Sequence, residues 1–424
     1  MKTRWLSACV LLAWLSCLAP VSADAATLDT SKNLDSYPAI PLESGMQNVK
    51  TNGAGVYDFA DRNGDGSMTA VTPSGLNLTN RYLTTAADGK SLSFKLNGGD
   101  LTATSGYIQT GNANLLVYNV GTLAMADGWI GAAGWAGGYT VAIGQDGVAG
   151  PRAGPVQVNG FFSKGDWSGG NVAVNSSGDV LIRNAGGVVT NINVTGASSG
   201  SGSVSIRHDG TFLARDVTDT CSGNGTGGLI FDGDALTNGP SGTFAANLLD
   251  THAGLSWGAD PASSGSIAIS NYMAVTIGSV DTRKWSGGGT GSLLVTGIVD
   301  TIKITGNLDL RSFTPTGNGS VRLHAGGVIT VNSLNLSNMT YIVFDGGGKC
   351  YIEGLLTGSD GNPASDLGNI GTKLRTPAGE TIYYKPEQSP ALDGQSFVLA
   401  SPAGAAGAGG LLKPKPKGTV VRIH

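Results

Sequence analysis

Residues 203–214, which read Ser-Val-Ser-Ile-Arg-His-Asp-Gly-Thr-Phe-Leu-Ala, contain the pattern that decides the fold. Two short alternating runs, Val204-Ser205-Ile206 and Phe212-Leu213-Ala214, stand on either side of a polar turn. Alternation with a period of two is the pattern of a β-strand with one buried face. The stretch therefore predicts a strand, a tight turn and a second strand.

The same unit recurs along the chain at a nearly constant step. Its openings lie at Val172, Val204, Leu229, Ile267, Leu293 and Val321. The mean step of about 30 residues is in the range of solenoid repeats. Because one such unit cannot bury its apolar side alone, stacked copies are needed to build a core. We therefore predict an all-β fold, a parallel β-helix (β-solenoid) with an N-terminal cap and a C-terminal capping segment. The preference for right-handed parallel crossovers favours a right-handed coil.

The composition agrees with this prediction and excludes several other classes of protein. Glycine accounts for 68 of 424 residues, and 13% of residues are charged, whereas about 7% Gly and a quarter charged are usual. Collagen is excluded because the glycines have no three-residue period. A content of 40% hydrophobic residues excludes a highly charged disordered chain, and frequent glycine disfavours long helices. We expect the glycines at corners between short strands, where they tolerate positive φ.

Composition shifts divide the chain into segments. We predict a signal peptide at 1–23, an N-terminal cap at 24–75 and solenoid repeats at 76–355, with a Gly/Trp-rich insertion near 129–170. A C-terminal cap or small β module follows at 356–402, and residues 403–424 read as an Ala/Gly linker and a basic tail.

The N-terminus points to export. Lys2 and Arg4 precede an apolar stretch that is short for a membrane span, and small residues follow it, as in a secretory signal. A lipoprotein signal is the alternative. We expect a secreted or cell-surface protein with no transmembrane segment after signal removal. The formal charge of −4 does not indicate the basic surface that is typical of nucleic-acid-binding proteins.

The repeated Gly-x-Val-x-Val units between about 170 and 354 resemble those of secreted bacterial right-handed parallel β-helix proteins, both pectate-lyase-like and adhesin-like. The resemblance is one of architecture. It implies an exported protein that contacts polysaccharide or another cell-surface polymer, either as an adhesin or as an enzyme.

The best candidate for metal binding is Asp61-Arg62-Asn63-Gly64-Asp65-Gly66. Asp61, Asn63 and Asp65 match positions 1, 3 and 5 of a calcium loop, with Gly66 at the sharp turn. Position 12, normally a carboxylate, is Thr72, so the alternative is a plain turn. Calcium bound here would have a structural role.

Other residues leave alternatives open. Cys221 and Cys350 can form a disulfide in an exported protein, although we favour two unpaired thiols because several repeats separate them. Three tryptophans can bind sugar or pack in corners; they are Trp129, Trp135 and Trp167. His208 and His324 occupy matching places in two repeats, which favours an exposed turn.

The sequence favours a structural or adhesin-like role over catalysis. A β-helix lyase or hydrolase would need acids that recur on successive turns. The acidic candidates are scattered through turns: Asp209, Asp232, Asp234, Asp281, Asp300 and Asp309. We therefore assign no catalytic or cofactor-binding residue and keep a polysaccharide lyase or glycoside hydrolase as the alternative. Self-association with copies of the same chain is a third hypothesis.

Overall fold

The structure is a computed structural model and describes part of the chain. The described residues are 26–27, 50–51, 56–59, 67–71, 76–79, 82–85, 91–95, 100–104, 106–110, 115–118, 120–125, 128–132, 140–144, 156–158, 161–164, 171–176, 179–182, 192–196, 201–221, 226–233, 239–253, 264–281, 290–309, 321–336, 341–347, 349–357, 367–402 and 407–416. They form an almost entirely β structure, as predicted.

Short strands dominate the N-terminal half. They are β1 (Ala26–Thr27), β2 (Lys50–Thr51), β3 (Val56–Phe59), β4 (Ser67–Val71), β5 (Leu76–Thr79), β6 (Tyr82–Thr85), β7 (Ser91–Lys95), β8 (Leu101–Thr104), β9 (Gly106–Thr110), β10 (Leu115–Tyr118), β11 (Leu123–Met125), β12 (Gly128–Ala132), β13 (Thr140–Ile143), β14 (Val156–Val158), β15 (Phe161–Lys164), β16 (Asn171–Ser176), β17 (Val180–Ile182) and β18 (Ile192–Gly196).

Longer strands follow in the C-terminal half. They are β19 (Ser201–His208), β20 (Thr211–Cys221), β21 (Thr226–Asp232), β22 (Thr243–Ala253), β23 (Ser264–Ser270), β24 (Ala274–Asp281), β25 (Thr290–Ile298), β26 (Thr301–Asp309), β27 (Val321–Ala325), β28 (Val328–Asn335), β29 (Ile342–Asp345), β30 (Cys350–Ile352), β31 (Leu356–Thr357), β32 (Leu374–Arg375), β33 (Thr381–Tyr384), β34 (Phe397–Ala400) and β35 (Ala408–Pro414). Helix α1 (Leu367–Lys373) and a 3₁₀ turn (Pro390–Leu392) lie near the end.

The strands stack into three parallel ladders, which we call the first, second and third faces. The first face contains β4, β7, β10, β13, β16, β19, β21, β23, β25, β27, β29 and β32. The second contains β1, β5, β8, β11, β14, β17, β20, β22, β24, β26, β28, β30, β33 and β35. The third is formed by β3, β6, β9, β12 and β15, then by β18, the second halves of β20, β22, β24, β26 and β28, and β31. This three-sided coil confirms the predicted parallel β-solenoid.

The repeat openings read from the sequence form one column on the first face. Register pairs Val172 with Val204, Val204 with Leu229, and so on through Ile267, Leu293 and Val321. All of these side chains are fully buried. The apolar alternation therefore indicated both the strands and their alignment.

Aromatic rings fill the core where the coil passes through β20 to β22. Phe212 lies 4.6 Å from Phe231 and 4.8 Å from Phe244, centroid to centroid. All three rings are buried. Such contacts add about 1 kcal/mol per pair beyond burial, so this segment is a strong part of the core.

The number of residues between one face and the next is nearly constant at one corner of the coil and variable at others. From Val204 the chain takes eight positions to Phe212 and five more to Val217. The step from the third face back to the first varies most, with eight positions in one turn and eighteen in another, from Leu334 to Ile342 and from Leu249 to Ile267. The step from the first face to the second also lengthens, to fifteen positions from Leu229 to Phe244, whereas the step from the second face to the third stays short.

Two segments differ from the sequence interpretation. The stretch near 129–170, expected to be an insertion, contributes strands β12 to β15, which continue all three ladders. Residues 408–414, assigned to the linker and tail, form β35, which pairs with β33. Both stretches are rich in Gly and Ala, which hid the alternation. Within the predicted cap at 24–75, β3 and β4 already pair in parallel with later strands.

An antiparallel strand ends the coil. β34 runs antiparallel to β35 and pairs with it from Phe397 to Ala400. This reversal covers a strand edge that would otherwise present unpaired N–H and C=O groups. Among the described residues, no helix combines the length and the hydropathy needed to cross a membrane.

Candidate functional site

A column of outward side chains crosses the second face near its C-terminal end. Register joins Lys303 to Thr330, Thr330 to Tyr351, Tyr351 to Tyr383, and Tyr383 to Lys413. Their strand neighbours point inward, so alternation places these five residues outside. We call this set the tyrosine column.

Tyr351 and Tyr383 form the centre of the column. Their ring centroids are 5.6 Å apart with an interplanar angle of 26°, and both residues are partly exposed. The rings therefore make one continuous aromatic ridge over two turns. The next residue, Tyr384, points inward instead, and its hydroxyl donates to the carbonyls of Leu392 and Gln395.

An ion-pair network borders this ridge. Glu353 accepts hydrogen bonds from Lys385 and from Lys415, the latter at 2.7 Å. Partial burial alone would raise the pKa of Glu353, but the two lysines together lower it below its ordinary value. Lys415 also lies 4.9 Å from the centroid of the Tyr351 ring. Two cations against one anion leave the border positively charged.

The two ends of the column are also cationic. Lys303 is exposed and Lys413 is partly exposed. No ion pair joins either of them to another of the residues that the structure describes. An ammonium group that is not neutralised by a carboxylate remains free to bind an anionic ligand.

A second polar feature lies on the third face. Register places Asp250 beside Asp281, Asp281 beside Asp309, and Asp309 beside Asn335. A shallow groove of about 230 Å³ adjoins the last two turns. Its lining is Asn307, Leu308, Asp309, Ser333, Leu334, Asn335, Leu355 and Thr357. Asp281 and Asp309, which lie far apart in sequence, thus share one register position with Asp250.

His208 does not occupy an exposed turn, and that prediction is wrong. It is fully buried, and its Nε2 is 2.7 Å from the hydroxyl of Tyr272, which is also buried. Burial lowers the pKa of His208 to about 4. At the corner outside it, the Asp232 carboxylate accepts hydrogen bonds from Arg207 at 3.1 Å and from Asn271 at 3.0 Å. These hydrogen bonds cover the buried histidine at the edge of the core.

The structure describes only some of the remaining residues that the sequence singled out. Asp61, Asn63 and Asp65 lie outside the described residues, so calcium binding there stays a prediction. Trp129 lies on β12, whereas Trp135 and Trp167 are outside the described residues. Cys350 is a free thiol in the core, and burial raises its pKa to about 12.

Sequence reasoning missed the tyrosine column, although a signal for it exists. Cys350-Tyr351-Ile352 and Ile382-Tyr383-Tyr384 both contain a tyrosine between two inward residues. Aligning these two strands would have placed both rings at one outward position. The 32-residue step between them was not recognised because the sequence at 356–402 reads as a cap.

Comparisons of the chain with protein-family models, with curated proteins and with solved structures find no match. The architecture itself agrees with the resemblance to β-helix proteins at the level of a β-solenoid.

Proposed function

We propose that this protein is an exported structural or adhesin-like surface protein whose solenoid contacts polysaccharide or another cell-surface polymer. The observation that carries the proposal is the tyrosine column, in which Tyr351 and Tyr383 present partly exposed rings on adjacent turns of a rigid sheet. Solvent-facing aromatic rings with polar neighbours are typical of surfaces that bind amphipathic ligands. The alternation that buries the core also repeats such outward positions along the coil.

Retention on immobilised polysaccharides tests this proposal. The purified chain is passed over a panel of glycans, and both bound protein and released sugar ends are measured. We expect retention on at least one glycan without release of reducing or unsaturated ends. Absence of retention on the whole panel would overturn the proposal.

The alternative is a polysaccharide lyase or glycoside hydrolase, and the shared register of Asp250, Asp281 and Asp309 favours it. Release of sugar ends by the parent chain that is lost in Asp309→Asn would support this alternative. Asp300→Asn, at a corner of the first two faces, is the matched control.

A further inference from the structure

We propose that the tyrosine column binds an anionic glycan that lies parallel to the solenoid axis. The sugar rings contact Tyr351 and Tyr383, and the acidic groups of the glycan bind Lys303 and Lys413. This inference rests on the proposed function, because it names the polymer class and the site.

The direction of the ligand follows from the register. The five residues occupy one position on five successive strands, so the column runs along the axis for roughly 19 Å at the usual strand spacing. An extended glycan repeats its sugar rings at a comparable interval. A polymer that lies along the axis can therefore meet both rings and both terminal lysines, whereas one that crosses the face meets a single strand.

The charge of the ligand follows from the lysines. Glu353 is already paired with Lys385 and Lys415, so it leaves no net negative charge beside the rings. Lys303 and Lys413 stand at opposite ends of the column, and no ion pair to them occurs within the described part of the chain. A neutral glycan would leave these ammonium groups unused, while carboxylate or sulfate groups would make charge-assisted hydrogen bonds with them.

The ring geometry favours a glycan over a single-stranded polynucleotide. A base inserted between two rings would need about 6.8 Å between them, twice the usual stacking distance of about 3.4 Å. The centroids of Tyr351 and Tyr383 are 5.6 Å apart, so no base fits between them.

Binding to defined polymers tests the proposal. The probes are alginate, which carries carboxylates, dextran sulfate, which carries sulfates, and unmodified dextran, with single-stranded oligodeoxythymidine as the polynucleotide. We expect the parent chain to bind at least one acidic glycan on the order of tenfold more tightly than dextran, with affinity that falls as salt rises. The acidic glycan that binds identifies the preferred group. A disaccharide of that sugar should bind weakly because it cannot span the column.

Variants locate the site. The double variant Tyr351→Ala/Tyr383→Ala should lose on the order of tenfold in affinity, and Tyr351→Phe/Tyr383→Phe should keep most of it because the rings remain. Lys303→Gln/Lys413→Gln should reduce both the affinity and its dependence on salt. Far-UV circular dichroism checks that each variant is folded, and the lysine variant tests the site even where the alanine variant unfolds.

The matched control removes a tyrosine ring and a cationic side chain on the first face. Arg375 lies 3.9 Å above the ring of Tyr341 there, so Tyr341→Ala/Arg375→Gln removes a ring and a cation away from the column. We expect it to bind like the parent chain.

The outcomes separate this inference from the proposed function. Equal binding to dextran and the acidic glycans would overturn the anionic assignment and leave the proposed function standing. Unchanged binding in both column variants would overturn the site. Stronger binding to the oligodeoxythymidine would overturn the glycan class, and no binding to any glycan would overturn both proposals.

Discussion

At the scale of single residues, the buried pair His208 and Tyr272 shows how the fold accommodates a polar group in its core. Ser176 occupies the register position of His208 one turn earlier and is also fully buried. The sequence does not reveal that these positions face inward, because a polar residue after a strand usually marks a solvent-exposed turn.

Acid should destabilise this corner through His208. Desolvation lowers the pKa of His208 from 6.5 to about 4, against smaller opposing effects of Asp179, the Gly210 backbone and Asp232. Between these two pH values the unfolded chain binds more protons than the folded chain, so the free energy of unfolding falls as pH falls. The loss amounts to at most about 3 kcal/mol.

Denaturant melts at several pH values measure this effect. His208→Phe should flatten the decline between about pH 6.5 and pH 4 relative to the parent chain, even if the unpaired Tyr272 hydroxyl lowers its stability at all pH values. His324→Gln, at a partly exposed corner of the same face, is the matched control. An undiminished decline in His208→Phe would contradict the assignment.

At the scale of elements, alternation predicted strands well, but it did not predict every ladder. The segment at 356–402, expected to be a C-terminal cap or small β module, contains β33 and β34. β13 and β14 escaped prediction because each has only three or four residues between Gly-rich stretches. Such strands are stabilised by pairing with neighbouring turns, and this information is not local in the sequence.

Close approach between turns should make some glycines irreplaceable. A Cβ on Gly242 would lie 1.8 Å from the carbonyl oxygen of Gly210 in the preceding turn. Gly242→Ala should therefore push two paired strands apart and lower the free energy of unfolding by roughly 1–3 kcal/mol.

Thermal and denaturant unfolding check this prediction. Gly347→Ala is the control, because the nearest atom to its added Cβ would be 3.8 Å away. We expect its stability to stay within about 0.5 kcal/mol of the parent. Equal stability of Gly242→Ala and Gly347→Ala would show that the strands adjust without cost.

At the scale of the whole molecule, the column of repeat openings explains why the architecture was predictable and the functional surface was not. Inward positions are apolar on most turns, so they repeat visibly in sequence. Outward positions, such as those of Tyr351 and Tyr383, have no such requirement. Their alignment into a column becomes visible only when the register between strands is known. The Asp column on the third face was missed for the same reason.

Removing the closing strands should turn the solenoid end into a site of self-association. A chain that ends at Gln395 lacks β34 and β35, which leaves the pairing edge of β33 free, with Ile382 and Tyr384 beside it. Open edges of this kind pair with other chains. Light scattering should show a mass that rises with protein concentration.

A chain that ends at Pro416 is the matched control, since it keeps both closing strands. We expect it to have the same oligomeric state as the full chain under the same conditions. If the chain that ends at Gln395 has the same oligomeric state as this control at every concentration, the closing role of β34 and β35 is refuted.

Because the number of residues between the third and first faces varies, foreign peptides can be inserted into the solenoid at this corner. Eight or eighteen positions fit at this corner without disturbing the register of Ile342 or Ile267. The corner recurs on successive turns, so guest loops placed there would be displayed in a row at a spacing fixed by the strands. The five-position step from the second face to the third, as from Phe212 to Val217, offers no such freedom, and inserts there would break the ladder.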